Sequence, residues 1–139
     1  MYFIIVGGAA VARYFVSIAV EEGHRVTVIE KNKSRARTIL QQYDVKVLNA
    51  DISQGDILDE AEAKRADAII ATTEDDSVNL MAMLLGKERD VKHLVAMVQN
   101  REHKQMFEKL GVRVLTDPEM IIAKKLYSFV GGDRQDDAK

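Results

Sequence analysis

The sequence contains no cysteine, no tryptophan and a single proline among its 139 residues. Without cysteine the chain can form no disulfide, no thiolate nucleophile and no cysteine-ligated zinc or iron–sulfur site. A chain without cysteine suits a reducing compartment, so we expect the protein in the cytoplasm. The first residues, MYFIIVGG, lack the basic leader of a signal peptide. No apolar run approaches the roughly 20 residues of a bilayer-spanning helix, which predicts no direct membrane insertion.

An excess of charge of one sign is also absent. Twenty basic side chains against 22 acidic ones give a formal net charge of −2 at pH 7. Proteins that bind nucleic acid by neutralising phosphates are usually far more basic, so we expect no nucleic-acid partner. His24, His93 and His103 are scattered, without the pairing of metal ligands on a helix face, and we therefore predict no metal site.

Strand-like and helix-like segments alternate along the whole chain. Unbroken apolar, β-branched runs predict six strands. Amphipathic runs between and after them predict six helices. The predicted strands are 2–6, 25–29, 45–48, 66–71, 93–98 and 112–115. The predicted helices are 11–22, 34–42, 56–64, 76–87, 101–110 and 119–130.

Helix ends and helix faces can be assigned in the same way. Gly23 is typical of a helix C-terminus and Ser34 of an N-cap, while Asp75 or Asp76 can cap the fourth helix. Apolar spacing predicts that two sets of residues face inward. These are Val11, Phe15, Ile18 and Ala19 in the first helix, and Val78, Met81, Ala82, Leu84 and Leu85 in the fourth.

This order of elements predicts an α/β fold. Strands that alternate with helices through short connections form a doubly wound, mostly parallel six-stranded sheet of Rossmann type, with helices on both faces. We expect one domain over residues 1–130. The polar segment 131–139 is predicted to be a disordered tail, and it is consistent with a cut inside a longer chain.

The loop after the first strand, GGAAVA, is a reduced form of the dinucleotide-binding glycine pattern. Gly7 keeps the first glycine, which permits the tight turn into the helix. Ala9 and Ala12 replace the second and third glycines of GxGxxG. The loop amides and the helix N-terminus still form an end that attracts anions. The motif therefore indicates phosphate contact less specifically than an intact one would.

Acidic residues follow the second and third strands. Glu30 comes 23 residues after Gly7, where a carboxylate accepts hydrogen bonds from ribose hydroxyls, and Lys31 is next to it. Asp51 follows the third strand and could reach the adenine edge. Each could also be an ordinary solvated acid or turn residue.

The segment after the fourth strand, ATTEDDSVNL, is the most distinctive in the chain. Thr72 and Thr73 end a strand at the carboxyl edge of the predicted sheet, where ligands bind in folds of this type, and Asn79 lies in the next helix. Helix capping explains Asp75 and Asp76 well, but it explains the threonine pair less well.

Several of these segments together resemble the N-terminal nucleotide-binding domain of RCK proteins (the KTN, or TrkA-N, domain). They are IIVGGAAVARYF, VIEKNKSR, the Asp51 turn, IIATTEDDSVNLMAMLLGK and FEKLGVRVLTDPEM, in this order. The family comprises the Trk and Ktr regulators of potassium uptake and the gating domains of potassium channels. The resemblance covers about residues 1–130.

The resemblance implies a non-catalytic domain that binds NAD(H) or an adenine nucleotide (ATP, ADP or AMP). It implies that the bound state is passed to a membrane potassium transporter or channel through homodimers or larger rings, at the inner face of the membrane. The last helix, 118–130, would cross to a partner subunit, although packing on its own sheet is equally compatible with the sequence. The implied nucleotide-binding residues are Gly7, Gly8, Ala9, Ala10, Val11, Glu30, Lys31, Asp51, Ile52, Thr72, Thr73 and Asn79.

The sequence departs from the family pattern at two cationic positions. Many members have an arginine where this chain has Ala10, and another where it has Met97; Arg13 could substitute for the first. With Ala9, these departures leave a second hypothesis open, a divergent copy that serves only in dimerisation and assembly. A third is a regulatory module fused to another enzyme. A complete dehydrogenase would need a substrate site that about 24 residues after the sixth strand are too few to build.

Overall fold

The computed structural model describes residues 1–131. Six strands, β1 to β6, alternate with helices over this range. The strands are β1 (Tyr2–Val6), β2 (Arg25–Ile29), β3 (Lys46–Leu48), β4 (Ala68–Ala71), β5 (His93–Val98) and β6 (Arg113–Thr116). The helices are α1 (Ala10–Glu21), α2 (Lys33–Gln42), α3 (Ile57–Glu60), α4 (Asp76–Glu88), α5 (Lys104–Glu108) and α6 (Pro118–Gly131), with short 3-10 turns at Ala63–Arg65 and Arg101–His103.

The strands form one fully parallel sheet in the order β3-β2-β1-β4-β5-β6. The chain winds outward from β1 in one direction and then, from β4, in the other. The ends of the central strands are in register, with Val6 paired to Ile29 on one side and to Ala71 on the other. The predicted doubly wound Rossmann-type fold is confirmed, and its switch point lies between β1 and β4.

Two apolar cores, one on each face of the sheet, hold the layers together. On one face Ala12, Val16 and Ala19 of α1 and Ile39 of α2 pack on the sheet. On the other face the core includes Leu58 from α3, Ala82 and Met83 from α4, and Phe107 from α5. Helices therefore cover both faces, as the sequence predicts.

The buried face of α1 differs from the predicted one. Val11 and Ile18 are 51% and 62% exposed, and the buried residues are Ala12, Val16 and Ala19. The small alanine side chains let the helix lie close to the sheet, so the helix turns its larger apolar residues outward. The prediction for these two residues was wrong because it placed the larger apolar side chains against the sheet, where small side chains allow closer packing.

The caps and the fourth helix also show differences. Asn32, not Ser34, caps α2, since its Oδ1 accepts the N–H of Arg35 at 2.9 Å. Asp75 caps α4. The predicted inward positions of α4 are correct for Ala82, and Val78 and Leu85 pack partly buried against the core. Met81 and Leu84, in contrast, are 40% and 44% exposed. The buried residues of α4 are Asn79, Ala82, Met83 and Gly86.

The last helix, α6, buries none of its residues against the rest of the described chain. Ile122, Leu126, Phe129 and Val130 lie along one side of it at helical spacing and are 59% to 87% exposed; we call these four residues the α6 stripe. Gly131 ends the helix instead of beginning the predicted tail, and residues 132–139 lie outside the described residues. Within the described chain, every helix is too short or too polar to cross a bilayer.

Candidate functional site

A cleft of about 360 Å³ opens at the carboxyl ends of β1, β2 and β4, where the winding direction reverses. Its volume is in the range of small-molecule sites. Nine of the twelve predicted residues line it. They are Gly7, Gly8, Ala9, Glu30, Lys31, Asp51, Ile52, Thr72 and Thr73.

The other three predicted residues do not line the cleft. Ala10 begins α1, and the side chain of Val11 is on the exposed side of that helix. Asn79 is fully buried below the end of β4. These residues can influence a ligand through the backbone or through their neighbours.

Some lining residues were not predicted. Arg35 reaches the cleft from the first turn of α2, and Glu74, Asp75 and Val78 reach it from the start of α4. Their common signal is that each lies in a segment that follows β2 or β4, whose carboxyl ends border the cleft. Sequence alone does not give the direction of these side chains.

Gly7 makes the turn from β1 towards α1. Its φ of +110° is in the region that side chains disfavour, and a Cβ at this position would lie 2.7 Å from Oγ1 of Thr72. Its N–H donates to the carbonyl of Ile29 at 2.9 Å, which continues the β1–β2 pairing. Gly7 therefore shapes the loop, and its amide is already used within the fold.

Gly8 allows the loop to come close to the end of β2. A Cβ on Gly8 would lie 2.6 Å from Cδ1 of Ile39 and 2.9 Å from Oε1 of Glu30. Contacts this short do not occur in folded proteins, so a side chain at position 8 would displace Glu30, Ile39 or the loop. The second glycine of this chain is thus one place earlier than in GxGxxG.

The N-terminus of α1 faces the cleft without a side-chain cap. The N-cap residue is Ala9, which has no oxygen that could accept the first amides of the helix. Such amides and the helix dipole attract an anion. Nη1 of Arg13 donates to the carbonyl of Gly8 at 3.4 Å, so a cation lies directly behind the loop.

Glu30 is a buried carboxylate with one oxygen in use and one turned to the cleft. It is 5% exposed, and Oε2 accepts the N–H of Asn32 at 2.7 Å. Oε1 has no donor among the described residues. Since no buried polar side-chain atom in residues 1–131 lacks a partner, Oε1 is open to solvent in the cleft. The backbone bond fixes the carboxylate, and the free oxygen can accept hydroxyl hydrogens.

The β3 side of the cleft is held by polar contacts to the backbone. Nδ2 of Asn49 donates to the carbonyls of Glu30 and Lys31 at 3.0 and 3.1 Å. Oδ1 of Asp51 accepts the N–H of Ser53 at 2.9 Å. This backbone hydrogen bond lowers the pKa of Asp51 below its ordinary value, and the hydroxyl of Ser53 and the charge of Lys31 act in the same direction. Asp51 is therefore ionised at neutral pH.

The threonine pair joins β4 to β1 and β5. Oγ1 of Thr72 donates to the carbonyl of Val6 at 3.1 Å, and Oγ1 of Thr73 donates to Oδ1 of Asn79 at 2.6 Å. Nδ2 of Asn79 donates in turn to the carbonyls of Thr73 and Met97 at 3.0 and 2.8 Å. Asn79 thus holds the cleft wall in position through its hydrogen bonds to Thr73 and Met97.

Asp76 ties the start of α4 to the loop after β5. Its carboxylate accepts the N–H groups of Gln99 and Asn100 at 2.7 and 3.0 Å, and Nδ1 of His103 lies 2.7 Å from Oδ2. Burial acts to raise the pKa of Asp76, but the two N–H groups and His103 outweigh it, so the pKa is below its ordinary value. The carboxylate is therefore ionised at neutral pH, and both sides of this junction depend on its charge.

Charges are unevenly distributed around the cleft. Lys31 and Arg35 are on the β2 side, together with Glu30 and Asp51. The β4 side carries Glu74 and Asp75 and, among the described lining residues, no cation. An uncapped helix N-terminus between them can bind a phosphate, and Glu30 can bind ribose hydroxyls. No three His, Asp or Glu side chains in residues 1–131 converge in a way that could hold a metal ion.

The sequence matches the profile of a known protein family. The family is described as the TrkA-N domain, and the match covers residues 3–118. A Trk system potassium uptake protein TrkA homolog from Methanothermobacter thermautotrophicus is 28% identical over 130 residues. The match spans 94% of this chain and 60% of that relative, so this chain covers only part of the relative's length.

Two solved structures show the same fold. One is the Kef CTD of Shewanella denitrificans in its AMP-bound form, with a TM-score of 0.76 and 18% identity over 97% of this chain and 84% of that chain. The other is the GsuK channel bound to NAD, with a TM-score of 0.74 and 20% identity over 82% of this chain and 21% of that chain. At these identities the likeness establishes the architecture alone.

Proposed function

The chain belongs to the TrkA-N domain family, and from that membership and the geometry of the cleft we propose that it is a non-catalytic, nucleotide-binding regulatory domain of a potassium transport system. The RCK resemblance of the sequence is thereby confirmed at the level of the family. The ligand, the partner and the assembly below belong to the proposal.

One observation carries the nucleotide assignment. The Glu30 carboxylate is buried, fixed by the N–H of Asn32 and open to the cleft through one oxygen, and Gly8 gives it the room it occupies. A carboxylate in this position accepts the two hydroxyls of an unsubstituted ribose and repels a 2′-phosphate. The adenosine half of the ligand would therefore lie on the β2 side, with its phosphate at the α1 N-terminus.

The ligand is an adenine nucleotide, either NAD(H) or one of AMP, ADP and ATP. This choice follows from the ribose and phosphate sites above, and it agrees with the NAD and AMP bound by the two structurally similar proteins. Ile29, Ala50 and Ile52 provide apolar lining on the adenosine side, where an aromatic base can be buried.

The relatives support a role in potassium transport without catalysis. The names of the Trk relatives describe potassium uptake proteins, and we propose that this domain regulates a membrane transporter or channel subunit from the cytoplasmic face. A ligand shifts such a system only by the difference between its affinities for the two states of the assembly. No group-transfer step is needed for this mechanism.

Self-association provides the second part of the proposal. The α6 stripe is exposed, and α6 buries no residue against the described chain. An apolar helix face of this kind is stabilised when a second surface covers it. We propose that α6 crosses to a partner subunit in a homodimer or a larger ring.

Calorimetric titration with NAD, NADH, AMP, ADP and ATP tests the nucleotide site. We expect Glu30→Ala to weaken the binding of the preferred ligand at least about tenfold, because two charge-assisted hydrogen bonds to the ribose are lost. Glu22→Ala is the matched control, since Glu22 is an exposed acid at the far end of α1. Equal binding by the Glu30 variant and the parent protein would refute the ribose assignment.

Ala9→Gly tests the phosphate end of the same ligand. Ala9 lines the cleft at the N-cap of α1, and its methyl group occupies space that the second glycine of the motif leaves to the pyrophosphate. We expect equal or tighter binding in the variant. Weaker binding would contradict the expectation that the Ala9 methyl group crowds the phosphate.

A second candidate function is an assembly scaffold that binds no nucleotide. The exposed α6 stripe and the methyl group of Ala9 favour it. The two candidates differ in the titration above: a scaffold would bind none of the five nucleotides and would still self-associate.

A further inference from the structure

We propose that Glu74 makes the cleft selective for the size and charge of the phosphate group. It disfavours a nucleoside triphosphate and favours a ligand that presents hydroxyls, as the second ribose of a dinucleotide does. This inference rests on the proposed nucleotide-binding function and adds the ligand class to it.

The strand order gives the cleft a direction. Because β1 lies between β2 and β4, the glycine loop after β1 separates the end of β2 from the end of β4. Glu30 places the adenosine ribose on the β2 side, and the α1 N-terminus places the first phosphate at the loop. Any further part of the ligand, whether more phosphates or a second nucleoside, then extends towards the end of β4.

The end of β4 presents negative charge. Glu74 and Asp75 line this side of the cleft, and the cationic lining residues Lys31 and Arg35 are on the opposite side. A β- or γ-phosphate placed here would approach carboxylates without a neutralising lysine or arginine among the described lining residues. Repulsion between like charges therefore opposes a polyphosphate tail.

Glu74 carries the carboxylate on this wall that has neither oxygen in use within residues 1–131, whereas Asp75 has one oxygen in use. Oδ1 of Asp75 is occupied by the N–H groups of Ser77 and Val78, and the hydroxyl of Thr73 is occupied by Asn79. Glu74 is exposed, and within residues 1–131 no donor or cation is bonded to its carboxylate. A free carboxylate accepts hydrogen bonds from the hydroxyls of a sugar, so the same group that repels phosphate attracts a ribose.

The test compares how five ligands bind to the parent protein, two Glu74 variants and one control variant. Calorimetry in EDTA gives the Kd of AMP, ADP, ATP, NAD and ADP-ribose for the chain, Glu74→Gln and Glu74→Lys. Glu21→Gln is the matched control, since it removes the same charge at the exposed end of α1, away from the cleft. Circular dichroism and thermal unfolding verify that each variant is folded.

We expect the parent protein to bind NAD and ADP-ribose more tightly than ATP. Glu74→Gln should lower the Kd of ATP about three- to tenfold, as expected for the loss of one nearby like charge. It should change the Kd of AMP less than about twofold. Glu74→Lys should lower the Kd of ATP further, because a positive charge replaces the negative one. It should weaken the binding of ADP-ribose, because the hydroxyl acceptor is lost. Glu21→Gln should leave the ratio of ATP to AMP affinity at its parent value.

Two other outcomes overturn the inference in different ways. If the parent protein binds AMP or NAD but Glu74→Gln shifts ATP and AMP equally, the selectivity lies elsewhere and the nucleotide site remains. If the parent protein binds none of the five ligands, the proposed function fails and the inference fails with it.

Discussion

Gly8 and Glu30 occupy one shared space: a Cβ on Gly8 would lie 2.9 Å from the free carboxylate oxygen of Glu30. The close approach of the loop after β1 to Glu30 therefore requires a residue without a side chain at position 8. A change in either residue alters the position of the other, although 21 residues separate them along the chain.

Gly8→Ala tests this pair. The added methyl group would lie 2.6 Å from Ile39 and 2.9 Å from Glu30, so we expect the free energy of unfolding to fall by about 1–3 kcal/mol. Binding of an adenine nucleotide should weaken as well, because Glu30 is displaced. Urea unfolding and calorimetry measure the two effects.

Gly55→Ala is the control for that substitution. No atom lies within 4 Å of a Cβ at position 55, so its effect on unfolding should stay within about 0.5 kcal/mol. Equal effects of the two alanines would contradict the close approach at Gly8.

Asn79→Ala should destabilise the fold strongly. Asn79 is fully buried and bonds to Thr73 and to the carbonyl of Met97. Removing its amide leaves buried polar groups unpaired, and we expect a loss of about 2–4 kcal/mol in urea unfolding. Gln41→Ala, on the exposed side of α2, should change stability by less than about 0.5 kcal/mol. A neutral Asn79 variant would show that the junction between β4 and β5 does not depend on this amide.

Asp76 should make stability depend on pH in the acid range. Its pKa is lowered in the folded state, so the unfolded chain binds the proton more readily. The stabilisation is complete above the ordinary aspartate pKa of 3.8 and is lost as the pH falls below it towards the folded pKa. Asp51 and Asp59 also have lowered pKa values and add the same sign of dependence.

Asp76→Asn separates the contribution of Asp76 from the others. The variant should be less stable than the parent protein at pH 7, and the difference should narrow between pH 5 and pH 3 in urea-unfolding series. Asp44→Asn serves as the control at an exposed acid on the segment between α2 and β3. A gap between parent and Asp76→Asn that stays constant over this range would contradict the assignment.

Leu126→Glu should weaken self-association. Leu126 is 59% exposed in the middle of the α6 stripe, and a charge there opposes burial against a second chain. Sedimentation velocity should show dimers or larger species for the parent protein and a shift towards monomer for the variant. Ser128→Glu places the same charge two residues on, on the opposite side of the helix, and should preserve the association. Loss of association in both variants, or in neither, would count against the α6 stripe as the contact surface.

The centre of the sheet could be predicted from the sequence because β1, β2 and β4 are buried on both faces. Such strands are continuous apolar runs, and for β2 and β5 the predicted bounds, 25–29 and 93–98, are those of the structure. The helix faces were harder to predict. In α1 the larger residues Val11 and Ile18 point outward and the alanines inward, and this choice depends on how closely the helix approaches the sheet.

The residues of the candidate site that directly follow a strand could be predicted from the sequence, because the carboxyl ends of parallel strands meet at one edge of the sheet. Gly7, Glu30, Asp51 and Thr73 each follow one of the strands β1 to β4, and the structure brings them to one cleft. Arg35, which was not predicted, lines the cleft, and Asn79, which was predicted, lies below it. Both are on helices, where a rotation of one residue decides whether a side chain enters the cleft or lies below it.

All described residues that line the cleft come from the first 78 positions of the chain, while the α6 stripe begins at Ile122. The proposed ligand site and the proposed subunit contact thus lie in separate stretches of one polypeptide. Each stretch can therefore diverge while the other stays unchanged. A chimera that takes α5, β6 and α6 from a distant relative should bind the same nucleotide and associate with a different subunit partner.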